Sequence, residues 1–423
     1  MKLKLKLKHS VIFVCCICLF AVSALLLTSL FSKQPVAQAE EIAETPVTPS
    51  GVCGTDATWE YSEDTKTLTI SGSGAMTSYA YGTAPWYSYA GKINKVIVSN
   101  EITSISAGAF YGFNVLQEIT LPFVGGSRSI KETVESSKSY YNGWKGGSEY
   151  LFGYIFGGEA KRGTTTSTED WIYQGQPQYS SSYSYYDGYY IPASLRKVTI
   201  TDAEGISANA FYGCTMIEEL NLNDSISAIY DNAFNNCTAL VVFKLPNDLT
   251  TLGVSVMFNC DALTDIEIPT GITVIPTNAF GSCDGLINIK FHPNITSINP
   301  SAFSGCRSLK NVTLPESLET IGKSAFKDNI GLTEIIIPDS VTSIGSSAFS
   351  GCVNVTSLTI GNSVQKIDTL AFNGLNLLKK IVVPNSVQTI GQAAFYGFNS
   401  LQEITLPFVG GSRSIKETVE SSK

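Results

Sequence analysis

Histidine is almost missing from this chain: there are two in 423 residues, and one of them, His9, lies in the N-terminal leader. That leaves His292 as the one imidazole available for acid–base work near neutral pH, and it stands at a corner beside Pro293, where a structural role fits better than a catalytic one. Beyond the leader there is no C-x-x-C pair, and nowhere is there an H-E-x-x-H, a nucleophile elbow or a phosphate-cradling glycine loop. These absences exclude the common zinc, acyl-transfer and nucleotide sites. Acidic residues are spread along the chain, so an acid pair made in space stays open. Charge is also sparse, at 15% of residues. Removing residues 1–39 takes five lysines and no acid, which leaves 28 − 5 = 23 bases against 36 acids, a net of −13. Such a balance is poorly suited to nucleic acid or anionic lipid, which require basic patches.

The leader itself reads as an export signal. Lys2, Lys4, Lys6 and Lys8 form a basic start, Val11 to Phe31 an apolar core, and Ala37-Gln38-Ala39 a small-residue cleavage site before Glu40. At 21 residues the core is also long enough to remain as an uncleaved membrane anchor. No cysteine sits where a lipoprotein site would need one, and no LPxTG-like sorting signal or C-terminal span is present. The location implied is secreted or cell surface.

What the chain does have is a period. A phenylalanine slot recurs every 23 residues, at Phe211, Phe234, Met257, Phe280, Phe303, Phe326, Phe349, Phe372 and Phe395. Three residues behind it runs a second column of Cys214, Cys237, Cys260, Cys283, Cys306 and Cys352, with Asn329, Leu375 and Phe398 in the remaining places. A fixed period of this length means one small unit stacked on itself. In the unit Leu332–Asn354, apolar residues fall at positions 1, 4, 6, 10, 13, 18 and 21. Positions 4 and 6 have strand spacing, and the proline usual at position 7 ends the strand because it has no N–H for a ladder. Positions 15 to 18 read as a single helical turn that drives the ring inward. Stacked parallel cysteines point alongside one another, so the column is expected to be small buried thiols and not a disulfide or metal row.

The unit resembles the repeat of the BspA-like bacterial surface proteins, whose pattern reads LxxIxIPxxVTxIGxxAFxxCxxL. Cys53-Gly54, Trp59, Leu68–Met76 and Ala84-Pro85-Trp86 also resemble the β-hairpin segment that precedes the repeats in that family. The resemblance implies a right-handed leucine-rich-repeat solenoid of short parallel strands and short helical turns, and a role in adhesion or protein–protein contact at the cell surface. It carries over no catalytic residue, cofactor or metal. The organisation expected is a signal peptide (1–39), a linker (40–50), an N-terminal β cap (51–92), first repeats (93–122), an insertion (123–194) and tandem repeats (195–423).

The outward strand positions, such as Glu219 and Asn221 or Asp265 and Glu267, show no aromatic stripe and no long run of one sign. The insertion is different. It holds eleven of the twenty tyrosines, two tryptophans, and much Gly and Ser. Rigid amphipathic rings on adaptable loops suit protein contact, and they also suit stacking on sugars. The candidate ligand contacts are Tyr140, Tyr141, Trp144, Trp171, Tyr183, Tyr185, Tyr186, Tyr189 and Tyr190. The bland alternative is an insertion that packs Tyr150–Gly157 on the solenoid, with Ser180–Tyr190 exposed. On the binding reading, deleting Ser139–Tyr190 is expected to abolish binding to extracellular matrix or partner cells and leave the fold intact. The expected partners are extracellular proteins or components of a host or partner-cell surface, with glycans as a second class.

Ala394–Lys423 repeats Ala109–Lys138 with a single change, Ser400 for Val115. With no polar closing coil after it, the chain is expected to be a piece of a longer protein. The functional expectation is an exported adhesin or interaction module without catalysis. The competing expectation is a targeting stalk for a wall- or glycan-acting enzyme whose catalytic domain lies beyond Lys423. If the phenylalanine column is the shared core, Phe303→Ala will lower stability by about 3–5 kcal/mol. Chemical denaturation measures this, and a loss below 1 kcal/mol would remove the column from the core.

Overall fold

The computed structural model describes residues 48–127, 150–157, 171–174, 178–179, 184–185, 189–310 and 312–412. The leader, its cleavage site and most of the linker lie outside them. From Thr48 onward the chain is one compact unit.

Three strands begin it: β1 (Ser50–Val52), β2 (Gly54–Ser62) and β3 (Thr67–Met76), paired antiparallel. The end of this hairpin is the start of the solenoid. Thr67–Ile70 pairs in parallel with Lys95–Val98, and further along the same strand Gly74 and Ala75 pair with Ile102–Ser104. One strand therefore templates both parallel ladders that follow.

The first ladder is made by positions 3 to 5 of the repeat. Ile335 faces Leu358 and Ile381 faces Ile404, each 23 residues on. Alternation does the sorting: in Glu334–Ile336 the central Ile335 is buried and its neighbours are exposed. The second ladder holds positions 12 and 13, with Ile298, Ile321, Ile344 and Ile367 in successive register. A coil cannot bury its own apolar row. Ile119 and Leu121, between neighbours, are 1% and 0% exposed.

The inward turn is not helical, as the sequence had suggested. Each coil instead places two residues in the left-handed region, at positions 16 and 20. The first column runs Asn209, Asn232, Ser255, Asn278, Ser301, Ser324, Ser347, Leu370 and Ala393, with φ from 51° to 59°. The second includes Asn236, Asn259, Asp328, Gly351 and Gly374. The reversal of hand aims alternate N–H groups at the next coil. Ser347 donates to the Thr369 carbonyl (2.9 Å), Phe349 to Ala371 (2.8 Å) and Gly351 to Asn373 (2.8 Å). A helical turn would have spent those donors within its own coil. Each coil is thus tied to the next at three places around its circumference.

The seven cysteines from Cys53 onward are buried free thiols. From Cys237 onward each column Sγ donates to the carbonyl of the inward residue of the previous coil: Cys237 to Phe211 and Cys306 to Phe280, both at 3.2 Å, and Cys283 to Met257 at 3.1 Å. Asn329 substitutes because its amide makes the same bond, to Phe303 at 3.0 Å. Burial pushes the Cys237 and Cys352 thiols up to about 12.

Two outcomes follow from this packing. Leu370 lacks the small polar or absent side chain that suits left-handed backbone, so Leu370→Asn is expected to stabilise the protein by about 1 kcal/mol; a lower urea midpoint would contradict it. Below pH 9 the Cys237 and Cys352 thiols hold their protons whether folded or not. Between pH 9 and 12 only the unfolded chain loses them, so each of these two lowers stability by about 1 kcal/mol per pH unit there. The Cys237→Ala/Cys352→Ala protein should therefore show a shallower alkaline loss of stability than the parent, and equal slopes would refute the assignment.

Candidate functional site

The insertion leaves the ladder after Pro122, yet the ladder does not notice. Glu118–Leu121 pairs directly with Lys197–Ile200, Lys197 opposite Glu118. The rest of that coil is replaced by parts of the insertion. The Gly126 carbonyl accepts from Ile105 N–H (2.9 Å), in the place of the second ladder. Tyr150–Gly157 then fills the inward turn: Phe110 N–H donates to Ile155 (2.9 Å), and Phe152 N–H donates onward to Ala210 (2.9 Å). Phe152, Ile155 and Phe156 are fully buried. The expectation that Ser139–Tyr190 could be deleted with the fold intact is therefore overturned, because that deletion empties a coil.

A two-stranded hairpin, Trp171–Gln174 against Tyr189–Pro192, lies over this filler. Its anchor is Gln174, whose side chain is completely buried. The Oε1 atom accepts from Gly153 N–H (2.5 Å), and Nε2 donates to the Ala210 carbonyl (2.7 Å). The hairpin's return is fixed by Ser194, whose hydroxyl donates toward the carbonyls of Asn114 (2.9 Å) and Leu116 (2.7 Å).

Where the cap, the first coil and the insertion meet there is a cleft of about 450 Å³. Tyr87 comes from the short turn Tyr87–Lys92, Tyr111 and Asn114 from the first coil, and Trp171 and Tyr190 from the hairpin. Phe156 and Gly157 belong to the filler. Tyr111 stacks on Tyr81 (5.5 Å between ring centres, 16° apart) and on Tyr87 (6.2 Å, 25°). Two glycines make room for this row. A Cβ on Gly108 or Gly157 would lie 2.3 or 2.5 Å from the Tyr81 ring, and both residues have positive φ. Among the described residues no charged side chain lines the cleft.

Of the residues nominated from sequence, Trp171 and Tyr190 are brought together here. Tyr189, expected on an exposed segment, is 2% exposed and packs edge-on against Tyr154 at 5.9 Å. Tyr140, Tyr141, Trp144, Tyr183 and Tyr186 lie outside the described residues, as does the side chain of Tyr185. Sequence reasoning missed Tyr87, Tyr111 and Asn114, which sit in elements read as scaffold.

Elsewhere, several strand-face charges are paired across coils. Along the strand face Lys95 meets Glu118 (3.0 Å), Lys197 meets Glu219 (2.7 Å), Lys290 meets Glu267 (2.6 Å) and Lys380 meets Glu403 (2.6 Å). Exposed pairs of this kind add little stability, but they cancel the local field. His292 Nε2 is 2.8 Å from the Ile272 carbonyl, and Nδ1 accepts from Asn294 N–H (3.2 Å), a corner-holding role. One acid pair does form across coils, Asp261 with Asp284. Burial and then the Asp284 charge raise the Asp261 carboxyl, both residues are exposed, and Asp284 also meets Arg307 (3.8 Å). Among the described residues no three His, Cys, Asp or Glu side chains converge as metal ligands.

A stack of parallel coils with an aromatic cleft at its one interruption defines a repeat scaffold of the leucine-rich class. The chain belongs to the BspA type leucine rich repeat family, whose model matches in six copies over residues 84–134, 204–333 and 319–419. Similar solved structures include a leucine-rich repeat protein from Eubacterium ventriosum (22% identity, 72% of this chain and 95% of that one, TM-score 0.36). They also include a leucine rich cell surface protein from Faecalibacterium prausnitzii (19%, 86% and 96%, TM-score 0.35) and the pneumococcal vaccine antigen PcpA (15%, 84% and 98%, TM-score 0.35). At such scores these likenesses add nothing to the fold described above. No curated protein matches the chain in sequence.

Proposed function

We propose that this chain is an exported surface protein that binds extracellular proteins or cell-surface components and carries out no chemistry itself. The observation that carries the reading is the aromatic cleft, built at the coil where the repeat is interrupted. On the strand face, by contrast, several lysines meet glutamates across coils. A rigid solenoid suits this role because it holds the cleft's walls without rearrangement on binding. Export is supported by the basic start, apolar core and Ala37-Gln38-Ala39 site of the leader.

Two measurements test the proposal. Protease added to intact expressing cells should degrade the protein, and purified protein should bind plates coated with extracellular-matrix proteins or fixed partner cells. Tyr87→Ala/Tyr111→Ala should weaken that binding at least tenfold while the thermal midpoint holds. A protease-protected intracellular pool, or no binding to any coated surface, would remove the reading.

A further inference from the structure

We propose that the cleft among Tyr87, Tyr111, Asn114, Trp171 and Tyr190 is a binding site for a short neutral oligosaccharide. This deepens the surface-binding reading and rests on it. The described lining disfavours charged ligands first. Among the described residues the wall holds no Lys, Arg, His, Asp or Glu, so an ionic ligand would give up hydration there for no counter-charge. The volume, about 450 Å³, lies in the range of small-molecule sites.

The choice among neutral ligands rests on which groups remain unused. Tyr87 and Tyr111 are 43% and 37% exposed, large values for rings already stacked on one another. The electron-rich face of an aromatic ring attracts the weakly positive C–H face of a sugar ring. The side-chain amide of Asn114 and the phenols of Tyr87 and Tyr111 make no hydrogen bond to any described residue. They offer donors and acceptors beside ring surfaces, which matches a molecule with apolar faces and a hydroxyl rim. Peptides also dock in aromatic-lined grooves or along strand edges, so a peptide is the competing occupant in the test below. The walls are also fixed in advance. The glycine pair Gly108 and Gly157 seats Tyr81 under Tyr111, and Gln174 clamps the hairpin that carries Trp171 and Tyr190.

The test is calorimetry on the full chain with maltotriose, cellotriose and the N-acetylglucosamine trimer, and with the galacturonic acid trimer as the charged comparison. At least one neutral trimer should bind once per chain and change tryptophan fluorescence, while the acidic trimer should not bind. Trp171→Ala should weaken the interaction about tenfold or more. Because Trp171 is half-buried and its loss could disturb the hairpin, the more exposed Tyr87→Ala and Tyr111→Ala are measured beside it, each with its circular dichroism spectrum. The proposal is overturned by the failure of all three neutral trimers, by equal binding of the acidic trimer, or by undiminished binding in the two tyrosine variants. Binding of an apolar peptide in place of the sugars overturns it as well, yet leaves the surface-binding reading standing, which fails if either the coated-surface or the protease measurement fails.

Discussion

Every part of this molecule leans on one column of stacked rings. It starts in the cap, where buried Trp86 donates its indole N–H to the Ala109 carbonyl (2.8 Å) and lies 6.3 Å from Phe110. It crosses the insertion through Phe156 and Phe152, then reaches Phe211 at 4.9 Å and Phe234 at 5.6 Å beyond. After Met257 it proceeds from Phe280 to Phe303, Phe326, Phe349, Phe372 and Phe395 at 5.3 to 6.0 Å, with ring planes within 12° of parallel. Stacked aromatics of this kind gain from contact and burial together. No ring in the interior of the column is buried by its own coil alone, so stability is shared between neighbours.

Backbone hydrogen bonding makes the column possible. Rings can stack at a regular spacing only if the turns that carry them are in register, and the left-handed residues at positions 16 and 20 fix that register by aiming three N–H groups per coil at the next. The thiol column then uses the carbonyl of the preceding ring residue. This accounts for Asn329 in a row of cysteines, which keeps the buried donor without the sulfur, whereas Leu375 in the same slot keeps only the buried apolar volume.

The repeat was legible because it is periodic in side-chain character, and periodicity in character is what stacking demands. Strand positions, inward phenylalanines and the proline corners all announce themselves in this way. The left-handed turns did not, although the Asn, Ser and Gly bias at positions 16 and 20 was a usable signal; a backbone dihedral leaves only a faint mark on composition. Tyr150–Gly157 was harder, since its rings enter the column from a segment that keeps none of the 23-residue spacing. Gln174 carries no local pattern at all. Of the cleft, Trp171 and Tyr190 were visible as aromatics in an irregular stretch. Tyr111 was hidden inside a well-formed repeat, and its counterpart Tyr396 is 69% exposed, against 37% for Tyr111. Nearly the same local sequence makes a surface residue in one place and a cleft wall in the other, so the difference lies in what the fold brings beside it.

That comparison also explains why the cleft is where it is. A solenoid repeated without change offers the same shallow surface on every coil and has no reason to favour one. The interruption removes a coil's own inward turn and must then be repaired, because the rings on either side, Phe110 and Phe211, would face a gap. The repair uses Phe152 and Phe156, and the chain that delivers them has to enter and leave beside the first coil. Residues such as Trp171 and Tyr190 are held next to Tyr87 and Tyr111 as a result. Mending the column and forming the cleft are thus one structural event, and the rigidity of the first is passed to the second through Gly153, Gln174 and Ala210.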